Sequence, residues 1–357
     1  MDFSIASILM LDGATNGALY ALLALATVLV FAITRVILIP QGEFVTYGAL
    51  TLAMIQNGNA IGSFWKGWGD MPGTVWLLLV LAIVVALIDA ARDARRALPA
   101  RTIALSALRT LAVPVLVFIV TGWSAPRGWP LVGQSLLTLA IVTPLGPLIY
   151  RLGYEKLADA TVLVLLIVSV GVHFAMTGLG LVFFGAEGFR NPSFWDARFS
   201  AGALNLSGQA IIVFMVTVVL MLALYLFFER TLRGKALRAT AVNRLGARLM
   251  GISTAGAGRL SFGLAAFIGA LTGLLIGSST TMLYDSGFLI GLKGFVAAIF
   301  GGLASYPAAA LGALFVGLLE SFGSFWASAF KEVIVFTTII PVLLWRSFLH
   351  GHHDEEE

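Results

Sequence analysis

Apolar runs of about 18–20 residues recur along the whole chain, and they limit its possible folds more than any other feature. A run of this length crosses a hydrocarbon core of roughly 30 Å as an α-helix. The runs are continuous rather than alternating, which favours helices over a β-barrel. Only 11% of the 357 residues are charged and 59% are hydrophobic, too few polar residues to cover a water-soluble surface. The composition therefore predicts an all-α polytopic membrane protein.

Eleven candidate spans can be placed on the sequence, and two of them differ from ordinary crossings. The spans are roughly 12–33, 42–56, 73–90, 102–121, 131–150, 161–185, 208–228, 258–279, 288–303, 308–329 and 332–349. Run 42–56 is short and run 288–303 is rich in glycine, so either can be half-inserted or broken. We therefore expect about 9–11 transmembrane helices, including broken or short ones, in a single transmembrane domain over residues 1–357.

Seven of the 22 lysine and arginine residues lie in one polar segment, 230–259, between two apolar runs. Its apolar positions have the spacing of one amphipathic helix: Leu237, Ala241, Leu245 and Leu249. A basic segment between two crossings is typical of the cytoplasmic side. If successive spans cross the membrane in alternating directions on either side of this segment, most of the basic residues lie on the cytoplasmic side. The N-terminus then lies outside and the C-terminus in the cytoplasm. We predict a cytoplasmic helix at about 234–251 that a soluble partner can bind.

Glycines recur at every fourth position in span 258–279, at Gly269, Gly273 and Gly277. Small residues at this spacing let helix backbones approach closely in lipid. Two interpretations stay open: the glycine face packs against another helix of the same protein, or it lines or gates a pathway.

Several polar residues interrupt the apolar runs. Lys293 and Glu320 flank a turn at Gly301 and Gly302. Ionisable residues in a membrane point to function by default, but an interhelical pair or a snorkelling lysine also accounts for these two. Both interpretations stay open.

A second interruption lies near the start of the chain, where Pro40, Gln41 and Gly42 break the helix before Glu43. Glu43 either caps the following helix at its N-terminus or belongs to a pathway. His173, alone in an apolar span, is interpreted as a hydrogen-bonded packing residue rather than a proton relay.

Motifs for catalysis are absent from the sequence. We find no Walker A segment, no nucleophile elbow, no His-Glu-x-x-His and no paired acidic motif on a helix, and the chain has no cysteine. We therefore predict no catalytic residue, no metal site and no nucleic-acid binding. Any chemistry belongs to a partner, or the protein is a passive pore.

Three blocks of sequence resemble the membrane permeases of the branched-chain amino acid class of ABC importers, a family that also handles urea and amides. The blocks are NGALYALLALATVLVF followed by QGEFVTYGA, GKALRATAVNRLGARLMGI followed by a glycine-rich span, and GFLIGLKGFVAAIFGGLASYPAAALGALFVGLLES. They occur in the family's order, with a weaker block at 163–185. The resemblance implies a type II ABC importer-like permease for a small polar solute, with branched-chain or other amino acids as the first expectation.

The resemblance also implies partners and site residues. The partners are a homologous or identical second permease subunit, two ATP-binding subunits that supply ATP and Mg²⁺, and a periplasmic substrate-binding protein, all at a bacterial inner membrane. The expected ATPase-coupling residues are Gly234, Leu237, Arg238, Asn243, Arg248, Leu249 and Gly251. The arginines would contact the rim of a groove in the ATP-binding subunit, and the leucines would fill it. The pathway or packing candidates are Gln41, Gly42, Glu43, Gly269, Gly273, Gly277, Lys293, Gly301, Gly302 and Glu320.

The chain departs from the family pattern in several places, including Gly246 where a glutamate is common and Leu38, Ile39 and Pro40 in place of the usual Asn-Phe-Ala. The family usually has an acidic residue or glutamine just before the asparagine of the coupling helix, where this chain has Val242. The chain is also longer than typical members, and the surplus within 57–130 predicts two extra spans joined by a basic turn at 89–101.

Two other classes of protein stay open. A stand-alone secondary transporter or channel would need an ion or proton site built from Glu43, Lys293, Glu320 or His173. An intramembrane lipid-modifying enzyme would need clustered acids or histidines at one membrane face, and the sequence offers none.

Overall fold

The computed structural model describes residues 3–57, 71–123, 128–201, 204–303 and 305–350. Within these ranges, eight helical segments are long and apolar enough to cross a membrane, and Ser286–Phe300 is a shorter apolar helix. The prediction of an all-α polytopic protein is therefore confirmed. Parts of the predicted extra region within 57–130 lie outside the described residues.

The structure contains fifteen α-helices within the described residues. They are α1 (Phe3–Thr34), α2 (Gln41–Asn57), α3 (Gly73–Arg95), α4 (Ala100–Trp123), α5 (Leu131–Val142), α6 (Leu145–Ile149), α7 (Val162–Phe184), α8 (Gly208–Arg230), α9 (Leu232–Val242), α10 (Arg244–Leu249), α11 (Thr254–Ile276), α12 (Ser286–Phe300), α13 (Tyr306–Ala327), α14 (Lys331–Thr337) and α15 (Ile339–His350). A π-helical turn, Tyr150–Tyr154, and a 3-10 turn, Glu155–Leu157, follow α6. A 3-10 turn, Ser328–Phe330, joins α13 to α14. A short antiparallel hairpin, β1 (Arg198–Ala201) and β2 (Leu204–Ser207), precedes α8.

The chain divides into two compact units. The first unit comprises Met1–Val28, Phe194–Tyr225 and Leu289–Glu357, and the second comprises Leu29–Ser193 and Leu226–Phe288. The single transmembrane domain that the sequence analysis expected over residues 1–357 stays a prediction.

In the second unit, α2 is the central helix, because every residue from Gln41 to Ile55 is buried. Glycines let α2 and α11 approach closely. A Cβ on Gly273 would lie 2.0 Å from the Val45 carbonyl oxygen, and one on Gly48 would lie 2.5 Å from the Ala270 carbonyl oxygen. Backbone contacts of this kind are what small residues permit in lipid.

The predicted break before α2 is present. α1 ends at Thr34, Arg35 takes a left-handed conformation with φ 60°, and α2 begins one residue after Pro40. Proline suits the start of a helix, where its missing N–H costs nothing.

In the first unit, α12 and α13 form a hairpin. Gly302 turns the chain with φ 65°, and the Leu303 N–H donates to the Ala298 carbonyl oxygen at 3.0 Å. Ser305 then caps α13. On the other face of α13, a Cβ on Gly317 would lie 2.3 Å from the Gly13 carbonyl oxygen of α1. The helices α1 and α13 therefore also pack backbone to backbone.

The region of the predicted extra spans contains two antiparallel helices. α3 ends at Arg95, α4 begins at Ala100, and Ala97 makes the turn with φ 53°. This turn lies within the predicted basic turn at 89–101.

Candidate functional site

The basic segment after α8 forms two helices rather than one. α9 ends at Val242, and Asn243 is extended, with φ −147° and ψ 103°. The Asn243 side-chain oxygen accepts from the Gly246 N–H at 2.8 Å and so caps α10. The prediction of one amphipathic helix is therefore wrong, because an asparagine side chain that bonds to the backbone favours a helix start over a helix interior.

Leu237 lies inside the protein. Its side chain is 1% exposed and belongs to a buried cluster with Leu29, Ile33 and Ala257. It is thus not available at the surface to fill a partner's groove, in contrast to Leu249, which is 80% exposed. The apolar positions that were expected to share one face are divided between the protein core and the surface.

An exposed apolar surface surrounds the break at Asn243. The residues Val242, Leu245, Leu249 and Met250 are 69% to 88% exposed. Between α9 and α10 the surface forms a hollow of about 420 Å³, which Val242, Ala247, Met250 and Ile252 line beside Arg238 and Asn243. We call this hollow the α9–α10 hollow.

Two of the expected coupling residues are glycines that shape the segment. A Cβ on Gly234 would lie 2.1 Å from the Phe227 carbonyl oxygen, so only glycine fits the tight turn from α8 into α9. Gly251 ends α10 with φ +79°, and the Ile252 N–H donates to the Ala247 carbonyl oxygen at 2.9 Å. A left-handed glycine with this hydrogen bond is a common helix end.

Arginines bind the basic segment to the connection between α6 and α7. Arg244 donates to the Ala158 carbonyl oxygen at 2.7 Å, and Arg248 pairs with Asp159 at 2.9 Å. From the first turns of α11, Arg259 binds both oxygens of Glu155 at 2.6 and 2.8 Å. These bonds tie α10 and α11 to residues 155–159.

Arg238 and Arg248, the two arginines expected to contact a partner, both have partners within the chain. Arg238 pairs with Glu229, and Arg248 also donates to the Thr254 hydroxyl at 3.1 Å. Both side chains stay partly exposed, so a further contact is sterically open to them.

Glu43 and His173 form a buried pair in the second unit. Glu43 lies in the first turn of α2, and its Oε1 is 2.9 Å from Nδ1 of His173 on α7. The His173 ring contacts the rings of Phe174 and Phe288. The expectation that His173 is a hydrogen-bonded packing residue agrees with this geometry, although the sequence did not indicate its partner.

The remaining candidates near Glu43 pack against other helices. Gln41 donates from Nε2 to the Ala265 carbonyl oxygen at 3.1 Å. A Cβ on Gly287 would lie 2.3 Å from the Gly42 carbonyl oxygen. Gly269 and Gly277 continue the contact that Gly273 makes with α2, beside Phe44 and Ala49 respectively. The glycine face is thus a packing face.

Lys293 and Glu320 form an ion pair in the first unit, at 2.6 Å. Lys293 also pairs with Glu332 at 3.1 Å, and the Tyr20 hydroxyl donates to the second oxygen of Glu320. The lysine therefore joins α12 to α13 and α14, which is the interhelical pair that was one of the two interpretations. Gly301, at the α12–α13 turn, lies against Ser305 and Ala309.

Several residues of these sites carried no signal in the sequence. Asp159, Glu155 and Glu332 belong to ion pairs but lie in ordinary polar stretches. Met250 and Ile252 were overlooked because the helical spacing pointed to leucines. Within the described ranges, no group of three or more histidines and acids could hold a metal ion.

Comparison with known proteins identifies a family that the chain matches. Residues 102–343 match the family described as the permease component of the branched-chain amino acid transport system. The high-affinity branched-chain amino acid transport system permease protein BraD of Pseudomonas aeruginosa is 30% identical over 216 residues, covering 58% of this chain and 70% of BraD. LivH of Escherichia coli K12, with the same description, is 29% identical over 225 residues, covering 61% and 73%.

One solved structure, PsaBC from Streptococcus pneumoniae in complex with Fab, matches 94% of this chain and 90% of that chain at 12% identity. Its TM-score is 0.36, and we infer no common fold from it.

The helical fold and the family match together define the class of this protein, a membrane permease subunit of an ABC importer. More particularly, the chain belongs to the family of permease components of branched-chain amino acid transport systems. Such a subunit is not itself catalytic, because ATP hydrolysis takes place in separate subunits, and it works with ATP-binding and substrate-binding partners in the inner membrane. The match does not support a stand-alone secondary transporter or channel.

Proposed function

We propose that this permease takes up branched-chain or other small amino acids, and that an ATP-binding subunit drives it through the α9–α10 hollow. BraD and LivH are named as branched-chain amino acid permease proteins, which supports the substrate class. The hollow, with its exposed apolar rim, carries the coupling proposal. An apolar hollow next to partly exposed arginines is suited to an apolar side chain of the partner, with acidic or carbonyl groups of the partner in contact with the arginines.

Val242 gives this contact an apolar character. The residue before Asn243 is 88% exposed and lines the hollow, at the position where the resemblance led us to expect an acidic residue or glutamine. We propose that the ATP-binding partner of this chain presents an apolar residue there, because an unpaired charge would lose its hydration without compensation.

Movement of the partner would reach the membrane part through the arginine contacts. Arg248 and Arg244 tie α10 to residues 158–159, and Arg259 ties α11 to Glu155. A pull on α10 would therefore displace the α6–α7 connection and the start of α11 together. ATP and Mg²⁺ would bind in the partner, and the nucleotide state would set the balance between two packings of the permease.

The wider assembly is proposed by analogy. We propose two ATP-binding subunits, a second permease subunit of the same or a homologous chain, and a periplasmic substrate-binding protein. The N-terminus would lie outside and the C-terminus in the cytoplasm, which the distribution of basic residues supports. The hairpin of α3 and α4 would be the two extra crossings, a change that preserves the orientation of all later helices.

The test is a pair of aspartate substitutions in the reconstituted transporter. Met250→Asp places a charge in the α9–α10 hollow, and Leu98→Asp places the same charge on the exposed α3–α4 turn, outside it. A central interface residue contributes about 2 kcal/mol or more, so we expect Met250→Asp to weaken binding of the ATP-binding subunit at least tenfold and abolish substrate-stimulated ATPase activity. Leu98→Asp should leave both unchanged.

Leu249→Asp is expected to act like Met250→Asp, because Leu249 is also exposed beside the hollow. Normal copurification and normal substrate-stimulated ATPase activity in Met250→Asp would refute the coupling role of the hollow. Uptake by the purified permease without any ATP-binding subunit would refute the function as a whole.

A further inference from the structure

A second concave surface lies on the opposite face of α9. It is a groove of about 620 Å³ between α9 and the first turns of α11. Its lining is apolar at Pro147, Leu260 and Gly263, which we call the floor, and basic at Arg233 and Arg259, which we call the rim. We call it the α9–α11 groove.

The helical geometry separates this groove from the α9–α10 hollow. Arg233, Ala236 and Leu237 line the groove, whereas Arg238, Ala239 and Val242 line the hollow. At 100° per residue, the two sets project from α9 about half a turn apart. A subunit that fills the hollow therefore leaves the groove open to a different occupant.

The groove lies where the chain enters and leaves the apolar helices. The candidate span Gly208–Arg230 ends two residues before α9 begins, and the candidate span Thr254–Ile276 starts at the groove. Leu260 and Gly263 belong to that second span, whereas Arg233 belongs to the polar segment. Along that span Arg259 precedes both Leu260 and Gly263, so the rim lies nearer the polar end of the groove and the floor nearer its apolar end.

Within the described part of the chain, Arg233 has an unpaired guanidinium group, and Arg259 keeps one nitrogen outside its pair with Glu155. Arg233 is exposed, and among the described residues none forms a hydrogen bond or ion pair with its side chain. Arg259 uses Nε and Nη2 to bind Glu155, which leaves Nη1 outside that pair. Guanidinium groups suit phosphate oxygens in particular.

We propose that the α9–α11 groove binds an anionic phospholipid, with an acyl chain on the apolar floor and the phosphate beside Arg233 and Arg259. Basic pockets between transmembrane helices are known to take anionic lipid headgroups. The bound lipid would hold α9 against α11 on the side away from the α9–α10 hollow. This site depends on the position of the groove in the bilayer and not on the coupling role proposed above.

Native mass spectrometry of the detergent-purified permease tests the proposal. Palmitoyl-oleoyl phosphatidylglycerol is titrated against palmitoyl-oleoyl phosphatidylcholine, which carries the same acyl chains. We expect tighter binding of phosphatidylglycerol, and a loss of about fivefold in Arg233→Gln, from about 1 kcal/mol for each basic residue near the membrane surface. Lys235→Gln removes the same charge two residues away, outside the groove, and should leave the affinity unchanged.

A second variant tests the acyl chain. Ala236→Leu adds bulk to the groove wall without changing charge, and we expect it to weaken binding of both lipids. Far-UV circular dichroism and size-exclusion chromatography establish that each variant is folded, and Arg233→Gln keeps the test open if Ala236→Leu does not fold. A competition with millimolar inorganic phosphate separates a lipid site from a simple phosphate site.

Four outcomes would overturn the proposal. They are equal affinity for the two lipids, equal losses in Arg233→Gln and Lys235→Gln, displacement of phosphatidylglycerol by inorganic phosphate, and displacement of the lipid when the ATP-binding subunit binds. The last outcome would assign the groove to the protein partner. None of the four bears on the Met250→Asp test of coupling, so the two proposals fail independently.

Discussion

The close approach of α2 and α11 makes Gly273→Ala the most informative single substitution. A Cβ at this position would lie 2.0 Å from the Val45 carbonyl oxygen, 2.9 Å from the Val45 carbonyl carbon and 3.0 Å from the Ala49 nitrogen. All three are backbone atoms, so no change of rotamer relieves the overlap. The two helices must move apart by about 1 Å or more to restore an ordinary contact distance.

Two opposing contributions set the magnitude. Overpacking a well-packed core costs about 1–3 kcal/mol and sometimes more, and an overlap with rigid backbone belongs at the upper end. Alanine gains up to about 1 kcal/mol over glycine in a helix interior. We therefore expect Gly273→Ala to lower the free energy of unfolding by about 2 kcal/mol, a factor of about 30 in the folding equilibrium.

The matched controls are Gly171→Ala and Gly178→Ala in α7, where a Cβ would meet nothing within 4 Å. These variants gain helix propensity without overlap and should be as stable as the natural sequence or slightly more stable. The measurement is denaturant titration in detergent micelles, followed by far-UV circular dichroism. If Gly273→Ala matches Gly178→Ala in stability, the backbone contact between α2 and α11 is not a determinant of the fold.

Two further substitutions test other parts of the structure. Lys293→Met leaves the carboxylates of Glu320 and Glu332 without their cation, and we expect a loss of about 3 kcal/mol in the same titration, partly recovered in Lys293→Met/Glu320→Gln. A loss below about 1 kcal/mol would show that the ion pairs are not formed in a buried environment. Gly251→Ala forces an alanine to φ +79° and should cost about 1–2 kcal/mol, whereas unchanged stability would mean that α10 ends differently.

Local signals in the sequence were sufficient for several features of the fold. Pro40 and Gly42 marked the break before α2, and the Gly301–Gly302 pair marked the turn between α12 and α13. The four-residue spacing of glycines in α11 indicated close packing, although not that α2 is the partner. These signals act over a few residues, since they arise from backbone conformation and from the absence of a side chain.

The coupling segment shows where such signals fail. Helical spacing assigned Leu237 and Leu249 to one face, but Asn243 starts a new helix between them, and the two leucines end in different environments. Periodicity indicates that a helix has an apolar face but not which structure covers it. The tertiary contacts of Leu237 with Leu29 and Ala257 decide that question.

Most ion-pair partners were also beyond the reach of the sequence, although Lys293 and Glu320 had been considered as an interhelical pair. Glu43 and His173 are 130 positions apart, and Lys293 and Glu332 are 39 apart. Each residue looked isolated in its own stretch of sequence, because a lone ionisable group in a membrane gives no indication of the helix that carries its partner. Only the packing of the helices brings these groups together, and it gives each ionisable group a partner inside the protein.

The arginines of the basic segment have two separate physical roles. As a group their charge opposes transfer across the membrane, which is the basis of the predicted cytoplasmic location. Individually, Arg248 and Arg259 bind Asp159 and Glu155, so the same residues also fix α10 and α11 to the α6–α7 connection. The substitution Arg248→Lys would keep the first role, since the charge is unchanged, but would weaken the second, since lysine lacks the guanidinium geometry that reaches both Asp159 and Thr254. An Arg248→Lys variant that inserts normally but transmits less of the ATP-driven movement would therefore separate the topological role of the segment from its mechanical one.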